Sequence, residues 1–238
     1  MEQAQAIGPA SGKPDLETPV TEQDFAAERA AMVEEQLRQR GIRDTAVLEA
    51  MGAVPRELFV PKNLQAHAYK DGPLPLPHKQ TISQPYVVAY MICLLHLRPQ
   101  DAVLEVGAGS GYAAAVLSRL ARVVYTIERH AELVAYAQKR LAYLGYDNVH
   151  VIHGDGSQGY LAHAPYEAIV VAAGGPAVPD SLKKQLAIGG RLVMPVGLDR
   201  RQQRLVRVTR LETAVFDEER KGQVAFVPLI GSEGWQQS

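Results

Sequence analysis

The sequence predicts an α/β fold built on a doubly wound, mostly parallel sheet, and three patterns in the chain indicate it. Short apolar runs rich in valine and isoleucine alternate with segments of helical periodicity, as in strand–helix–strand units. The apolar run 103–106 leads into glycines at three alternate positions and then into an alanine-rich segment, which predicts a strand, a tight turn and a helix. Residues 204–211 alternate valine with arginine and threonine and, with a short strand at 224–227, predict an antiparallel C-terminal edge.

The individual elements follow in a regular order. Asp24 is a good N-cap and predicts a helix that ends at Gly41, and Asp44 predicts the start of a second helix. Proline-rich segments at 54–61 and 71–77 predict extended chain lying on an already folded surface. The apolar periodicity then predicts helices at 87–95, 131–144 and 179–186 and strands at 103–106, 122–127, 149–153, 164–173 and 189–197.

The glycine turn, residues 107–111, predicts a nucleotide-binding site. Gly107, Gly109 and Gly111 permit positive φ and close approach of a ligand, and the following helix start offers free N–H groups. A dinucleotide fingerprint has the spacing G-x-G-x-x-G, whereas this chain has G-x-G-x-G with Glu105 two residues ahead of it. That spacing resembles the one in S-adenosylmethionine-dependent methyltransferases, whose ligand has no pyrophosphate. The alternative interpretation is a glycine-rich turn without a ligand.

Two further acids follow predicted strands. Glu128 comes 21 residues after Gly107, the distance at which an acid meets ribose hydroxyls in such folds, and the alternative is a solvated residue at a strand end. Asp155 lies between Gly154 and Gly156, where it is placed to accept a hydrogen bond from an exocyclic amine such as that of adenine. The alternative for Asp155 is an Asx-type turn.

A hydroxyl-bearing segment precedes the helix that leads to the glycine turn. Pro85 is favourable at the start of a helix, and either Thr81 or Ser83 is a candidate cap for it. The same position also directs a hydroxyl toward the predicted pocket. The residues alone leave both interpretations open.

Composition argues against several classes of protein. A formal net charge of -1 on 238 residues provides no broad basic field, so we expect no nucleic-acid partner. Cys93 is the single cysteine, which excludes an internal disulfide and zinc-type cysteine pairs, and we expect no metal site. No apolar stretch approaches the roughly 20 residues that a membrane span requires, so we expect no membrane partner.

The chain divides into a tail and one domain. Residues 1–23 contain neither an apolar run nor a basic leader, which predicts a flexible tail and a cytoplasmic protein. Residues 24–238 are long enough for one sizeable domain but not for two, and we expect a monomer. Its predicted parts are an N-terminal helical layer on the substrate side at 24–80, a nucleotide-binding core at 81–198, and a C-terminal β edge and tail at 199–238.

Several segments together resemble the protein-L-isoaspartate (D-aspartate) O-methyltransferase family, and the resemblance covers about residues 30–235. Thr81-Ile82-Ser83-Gln84-Pro85 is its most specific marker, because the glycine turn is shared by most methyltransferases. The other matching segments are 36–37, 40–42, 54–56, 59–61, 103–111, 154–156, 189–197, 226–229 and 234–235.

This resemblance implies a class I, Rossmann-like methyltransferase that moves a methyl from S-adenosylmethionine to the free α-carboxylate of L-isoaspartyl residues in damaged proteins and peptides, with D-aspartyl residues as a further candidate acceptor. It implies that Ser83 is the active-site serine. The set of cofactor residues, which includes the acids and glycines identified above, is Gln80, Thr81, Ile82, Ser83, Glu105, Gly107, Gly109, Gly111, Glu128, Asp155 and Gly156.

The chain departs from the family pattern at a loop and, more mildly, at Glu167, where aspartate is usual. Pro77-His78-Lys79 stands where members commonly carry Gly-x-Gly, so Lys79 either attracts a substrate carboxylate or is merely exposed. This difference motivates a first alternative, a methyltransferase of the same fold that acts on the carboxylate of a modified peptide natural product. A second alternative is a catalytically silent protein that binds S-adenosylmethionine.

Overall fold

The computed structural model describes residues 25–199 and 202–236. Its centre is a seven-stranded sheet with the strand order β5-β4-β3-β6-β7-β8-β9. The strands are β3 (Ala102–Val106), β4 (Val123–Glu128), β5 (Val149–His153), β6 (Tyr166–Val171), β7 (Leu186–Asp199), β8 (Gln202–Glu212) and β9 (Val215–Val224). Strands β3 to β7 pair in parallel, and β8 and β9 add an antiparallel edge, so the predicted fold class is confirmed.

The strand order reverses at β3. The chain runs from β3 outward to β4 and β5 and then returns to the other side of β3 as β6. In open α/β sheets, ligands bind outside the carboxyl ends of the strands where the order reverses in this way. The glycine turn directly follows β3 and therefore occupies that position.

Helices cover both faces of the sheet. In β6, Ala168 and Val170 pack into one hydrophobic core and Ile169 and Val171 pack into the other. Both faces are therefore buried, which explains the continuous apolar run 168–171 in this strand. The helices are α1 (Ala26–Ala31), α2 (Thr45–Ala53), α3 (Pro85–Leu95), α4 (Tyr112–Ser118), α5 (Ala131–Tyr143) and α6 (Asp180–Lys184). No helix within the described residues is long and apolar enough to cross a membrane.

The elements before β3 form a layer of helices and tight turns. Helix α1 continues as a π-helical segment, Met32–Arg38, and the chain turns at Gly41, whose φ is +98°. Asp44 caps α2 by accepting a hydrogen bond from Val47 N at 3.2 Å, as predicted. The layer also contains 3-10 turns at Arg56–Phe59, Lys62–His67 and Pro77–Lys79 and a small hairpin of β1 (Leu74–Pro75) and β2 (Thr81–Ile82). The predicted tail and Asp24 lie outside the described residues.

The end of the chain differs from the prediction. The last strand was expected at 224–227, but the structure forms β9 earlier and pairs it with β8 as a hairpin. Its pattern was obscured because none of its residues is buried and the central run 217–221 is charged throughout. Cross-strand pairs such as Arg207 with Glu219 hold the strand, with 2.9 Å between Arg207 Nε and Glu219 Oε1. The helix expected at 179–186 is shorter, since Leu186 already belongs to β7.

Candidate active site

A cavity of about 340 Å³ opens at the carboxyl ends of β3, β4 and β6. Its volume is in the range of small-molecule sites. It brings together most of the predicted site residues, and two of them, Gly111 and Asp155, are not among its lining residues. The predicted residues that line it are Gln80, Thr81, Ile82, Ser83, Glu105, Gly107, Gly109, Glu128 and Gly156.

The glycine turn has the backbone conformation that the sequence suggests. Gly107, Gly109 and Gly111 have φ values of +96°, +53° and +87°, a region that side chains disfavour. Gly111 lies at the start of α4, and a Cβ there would meet Leu141 of α5 at 3.2 Å. Gly111 therefore serves the packing of two helices, whereas the other two glycines border the cavity.

Glu128 closes β4 and joins it to the glycine turn. Its two carboxylate oxygens accept hydrogen bonds from Gly109 N at 3.0 Å and His130 N at 2.9 Å. The residue is 5% exposed, which excludes the solvated strand end considered as its alternative. A buried carboxylate held by two backbone donors provides a fixed acceptor at the cavity wall.

Glu105 lies deeper, in the middle of the sheet. It pairs in register with Thr126 of β4, whose Oγ1 donates to Glu105 Oε2 at 2.5 Å. Burial raises the pKa of Glu105 to about 8, the charge of Glu128 adds to that rise, and the Thr126 hydrogen bond opposes it. Glu105 therefore retains its proton at neutral pH and lines the cavity as a neutral acid.

Asp155 forms an Asx-type turn, which was the alternative to ligand binding for this residue. Its Oδ1 accepts from Ser157 N at 2.9 Å and from Ser157 Oγ at 2.7 Å, and Oδ2 accepts from Ser232 N at 2.8 Å. Burial alone would raise the pKa of Asp155, but these donors lower it below its usual value. The carboxylate thus fixes a chain segment near the cavity, and its contact with adenine stays a prediction.

That segment, residues 227–235, is here called the C-terminal segment, and sequence reasoning did not identify it as a cavity wall. Four of its residues, 227–230, line the cavity together with the glycine turn. Trp235 Nε1 donates to Gly174 O at 3.0 Å, and Glu233 accepts from Ser181 N at 3.1 Å. The available signals were the apolar run 224–230 and the chain's single tryptophan after it.

Ser83 lies between β2 and α3 and is half-buried at the cavity wall. Gln84 occupies the N-cap position of α3, and no side chain caps that helix, so neither Thr81 nor Ser83 has the capping role. Within the described residues, the only hydrogen bond of Ser83 to a side chain is made by its carbonyl oxygen, which accepts from Arg56 Nη2 at 2.8 Å. The hydroxyl is thus available for a ligand.

The divergent loop has a geometry that explains one of the two glycines common at its position. Lys79, at the second glycine position, has a φ of +57°, which glycine adopts at little cost, and His78, at the variable position, also has a positive φ of +58°. The His78 ring stacks on His130 with centroids 4.7 Å apart, and its Nε2 lies 2.9 Å from Glu132 Oε2. These contacts hold the loop at the cavity mouth, where Lys79 is exposed.

Comparison with known proteins gives a consistent result. A family model described as Protein-L-isoaspartate(D-aspartate) O-methyltransferase (PCMT) matches residues 27–234. A protein of Rhodopseudomonas palustris named protein-L-isoaspartate O-methyltransferase is 58% identical over 206 residues, which are 87% of this chain and 94% of that protein. A protein of the same name from Protochlamydia amoebophila is 55% identical over 205 residues, 86% of this chain and 98% of that protein.

Solved structures resemble the whole described fold. A structure named protein-L-isoaspartate O-methyltransferase has a TM-score of 0.78 and 28% identity, and the match covers 87% of this chain and 67% of that one. A putative enzyme of the same kind from Plasmodium falciparum, in complex with S-adenosyl-L-homocysteine, has a TM-score of 0.74 and 26% identity, and the match covers 85% of this chain and 98% of that one.

Proposed function

This chain belongs to the protein-L-isoaspartate(D-aspartate) O-methyltransferase family, and from that premise we infer that it is a protein repair enzyme. It transfers a methyl group from S-adenosylmethionine to the free α-carboxylate of L-isoaspartyl residues in damaged proteins and peptides. The observation that carries the assignment is that Ser83 and Glu128, which are distant in sequence, line one cavity. The cavity thus combines a hydroxyl for the acceptor with an acid for the cofactor.

The residues present fit S-adenosylmethionine. We propose that the turn at Gly107 and Gly109 accommodates its amino-acid part and that Glu128 accepts hydrogen bonds from its ribose. Gly156 also lines the cavity, and a Cβ there would meet Val106 Cγ1 at 2.4 Å, so this wall has no room for a side chain. When bound, the cofactor supplies a methyl group on a positively charged sulfur.

The acceptor side needs alignment more than acid–base chemistry. Carboxyl groups have reference pKa values near 4, so the isoaspartyl carboxylate is already ionised at neutral pH and needs no base. Correct orientation of two reacting groups can lower the activation free energy by about 7–11 kcal/mol. We propose that Ser83 provides this orientation by donating a hydrogen bond to the carboxylate, and that Gln80, Thr81 and Ile82, which line the same wall, also contact the cofactor.

Further proposals concern the oligomeric state, the partners and the cellular compartment of the enzyme. We propose that it acts as a monomer, because one chain supplies the walls of the cavity described above. A net charge of -1 supports the absence of a nucleic-acid partner. A single cysteine, which excludes internal disulfides, supports a reducing compartment such as the cytoplasm.

The direct test is methylation of a synthetic peptide that contains one isoaspartyl residue. We expect the full-length protein to release S-adenosylhomocysteine with this peptide and not with the isomer that contains a normal aspartyl residue. Carboxylates of modified peptide natural products serve as competing acceptors in the same assay. Equal activity on both isomers, or activity on none of the acceptors, would contradict the proposed function.

A further inference from the structure

A fully buried arginine lies directly behind the acceptor wall of the cavity. Arg56 is 0% exposed and belongs to a 3-10 turn of the N-terminal layer. Its Nη2 donates to Ser83 O at 2.8 Å, and its Nε donates to Ala68 O at 2.7 Å. Its guanidinium carbon lies 4.7 Å from the centre of the Tyr112 ring. Because Ser83 and Tyr112 both line the cavity, Arg56 is one residue layer away from it.

The charge of Arg56 has no acidic partner among the described residues. Its hydrogen bonds go to two neutral carbonyl oxygens, and its Nη1 has no hydrogen-bond partner in the described part of the chain. The nearby carboxylate, Glu57, instead accepts from Arg29 and from the hydroxyl of Tyr69. A guanidinium remains protonated in proteins, and burying it without a counter-charge is unfavourable.

An anion in the adjacent cavity would compensate this charge. The proposed acceptor is an ionised carboxylate, and Ser83 is the residue that links it to Arg56. We propose that Arg56 is a positioning residue for the acceptor, which holds Ser83 through its carbonyl oxygen and favours binding of an anionic group beside it. This inference rests on the proposed function.

The expected effect falls on acceptor binding more than on turnover. In the reaction, a negative carboxylate and a positive sulfonium form neutral products, so charge is lost on the way to the transition state. A nearby positive charge therefore stabilises the bound acceptor more than the transition state. Removing it should raise the KM for the peptide with a smaller change in kcat.

The experiment compares three variants of Arg56 in the isoaspartyl peptide assay. Arg56→Gln and Arg56→Met remove the charge, and Arg56→Lys retains it. We expect the uncharged variants to raise the peptide KM about tenfold or more, with kcat within about threefold of wild type. This corresponds to a loss of about 1.4 kcal/mol or more in acceptor binding. Affinity for S-adenosylhomocysteine, measured by calorimetry, should change little, and Arg56→Lys should retain most of the acceptor affinity.

Arg140 provides a matched control. It is also buried, at 5% exposure, its Nη2 donates to Tyr136 Oη at 2.8 Å, and its guanidinium carbon lies 4.9 Å from that ring, but it does not line or adjoin the cavity. Arg140→Gln should leave the peptide KM unchanged. An unchanged KM in the uncharged Arg56 variants would overturn the proposal, and so would failure of both to fold, because Arg56 would then serve stability. Failure of the wild-type protein to methylate the peptide would instead refute the proposed function.

Discussion

The two halves of the cavity are constructed differently. The half that we propose for the cofactor, the cofactor half, consists of β3, the glycine turn and the end of β4, and its central hydrogen bond joins Glu128 to Gly109, 19 residues apart. The half that we propose for the acceptor, the acceptor half, consists of residues 80–83 and the C-terminal segment, both outside the central sheet. Its contacts span 27 residues from Arg56 to Ser83 and 61 from Trp235 to Gly174. The cofactor half thus follows from local chain geometry, whereas the acceptor half depends on tertiary packing.

This difference implies that the two halves can be impaired separately, and the largest effect is expected at Ser83. Ser83→Ala should lower kcat about 100-fold, the effect of removing one oriented hydrogen-bond donor from a reacting group. Affinity for S-adenosylhomocysteine should stay within about twofold of wild type, since twofold is well under 1 kcal/mol. Ser118→Ala is the control, because its hydroxyl donates to Ala115 O in the buried α4 helix. Wild-type turnover in Ser83→Ala would remove this residue from the mechanism.

The converse change is Glu128→Gln in the cofactor half. The variant keeps the shape of the side chain but replaces its carboxylate with a neutral amide. In the wild type, that carboxylate accepts hydrogen bonds from Gly109 N and His130 N. Hydrogen bonds to charged groups contribute about 1.5–3 kcal/mol, so we expect cofactor affinity to fall about 10- to 100-fold. Titration calorimetry with S-adenosylhomocysteine measures this, with the exposed Glu49→Gln as control. A variant with normal affinity and reduced peptide binding would show that the two halves are not separate.

The protonated Glu105 gives the cofactor half a pH dependence of its own. Its folded pKa of about 8 lies above the unfolded value near 4.3, so the folded state binds more protons across this window. Stability contributed by that proton should therefore decrease as pH rises from about 4 to about 8 and then level off. Each kcal/mol of stability corresponds to about 2–4 °C in Tm for a chain of this size. Glu105→Gln has no titrating proton at this position, so its Tm should not show the part of the decrease with pH that Glu105 causes. Parallel Tm curves for the two proteins between pH 5 and 8.5 would contradict the buried neutral acid.

The smallest effect is expected at Gly111, which supports the cofactor half without lining the cavity. Gly111→Ala forces a side chain into a left-handed conformation, which costs about 1–2 kcal/mol, and adds the contact with Leu141. Tm should fall by a few degrees, and cofactor affinity should fall less than in Glu128→Gln. Gly222→Ala is the control, since a Cβ there meets nothing within 4 Å and its φ is not positive. Equal Tm values for the two variants would argue against strain at Gly111.

The same difference between the halves decides what the sequence could predict. The parallel strands, the glycine turn and the position of Glu128 follow from apolar periodicity and spacing, and the structure places them together. For Asp155 the sequence left a ligand contact and an Asx-type turn open. Its oxygens accept from Ser157 and from Ser232, a residue 77 positions away that no local pattern connects to it, and the ligand contact stays a prediction. Strand β9 was missed because its exposed, charged residues show no apolar alternation.

The acceptor half was visible in the sequence only through family resemblance. That resemblance marked Ser83, but the burial of Arg56 behind it depends on how the N-terminal layer packs, and a charged residue is expected at the surface on composition alone. Similarly, the left-handed loop at His78 and Lys79 is held by contacts with His130 and Glu132 on another element. Such residues are found from three-dimensional contacts and not from spacing.

The C-terminal segment has a consequence for biosynthesis. Translation proceeds from the N-terminus, so Gln80 to Ser83, the glycine turn and Glu128 all leave the ribosome before residues 227–235 do. Until these last residues emerge, Asp155 lacks the Ser232 donor and Gly174 lacks the indole of Trp235, and one side of the cavity is absent. A nascent chain therefore completes the acceptor half of the cavity only when residues 227–235 dock, which makes peptide binding a later event in the maturation of each molecule than formation of the cofactor half.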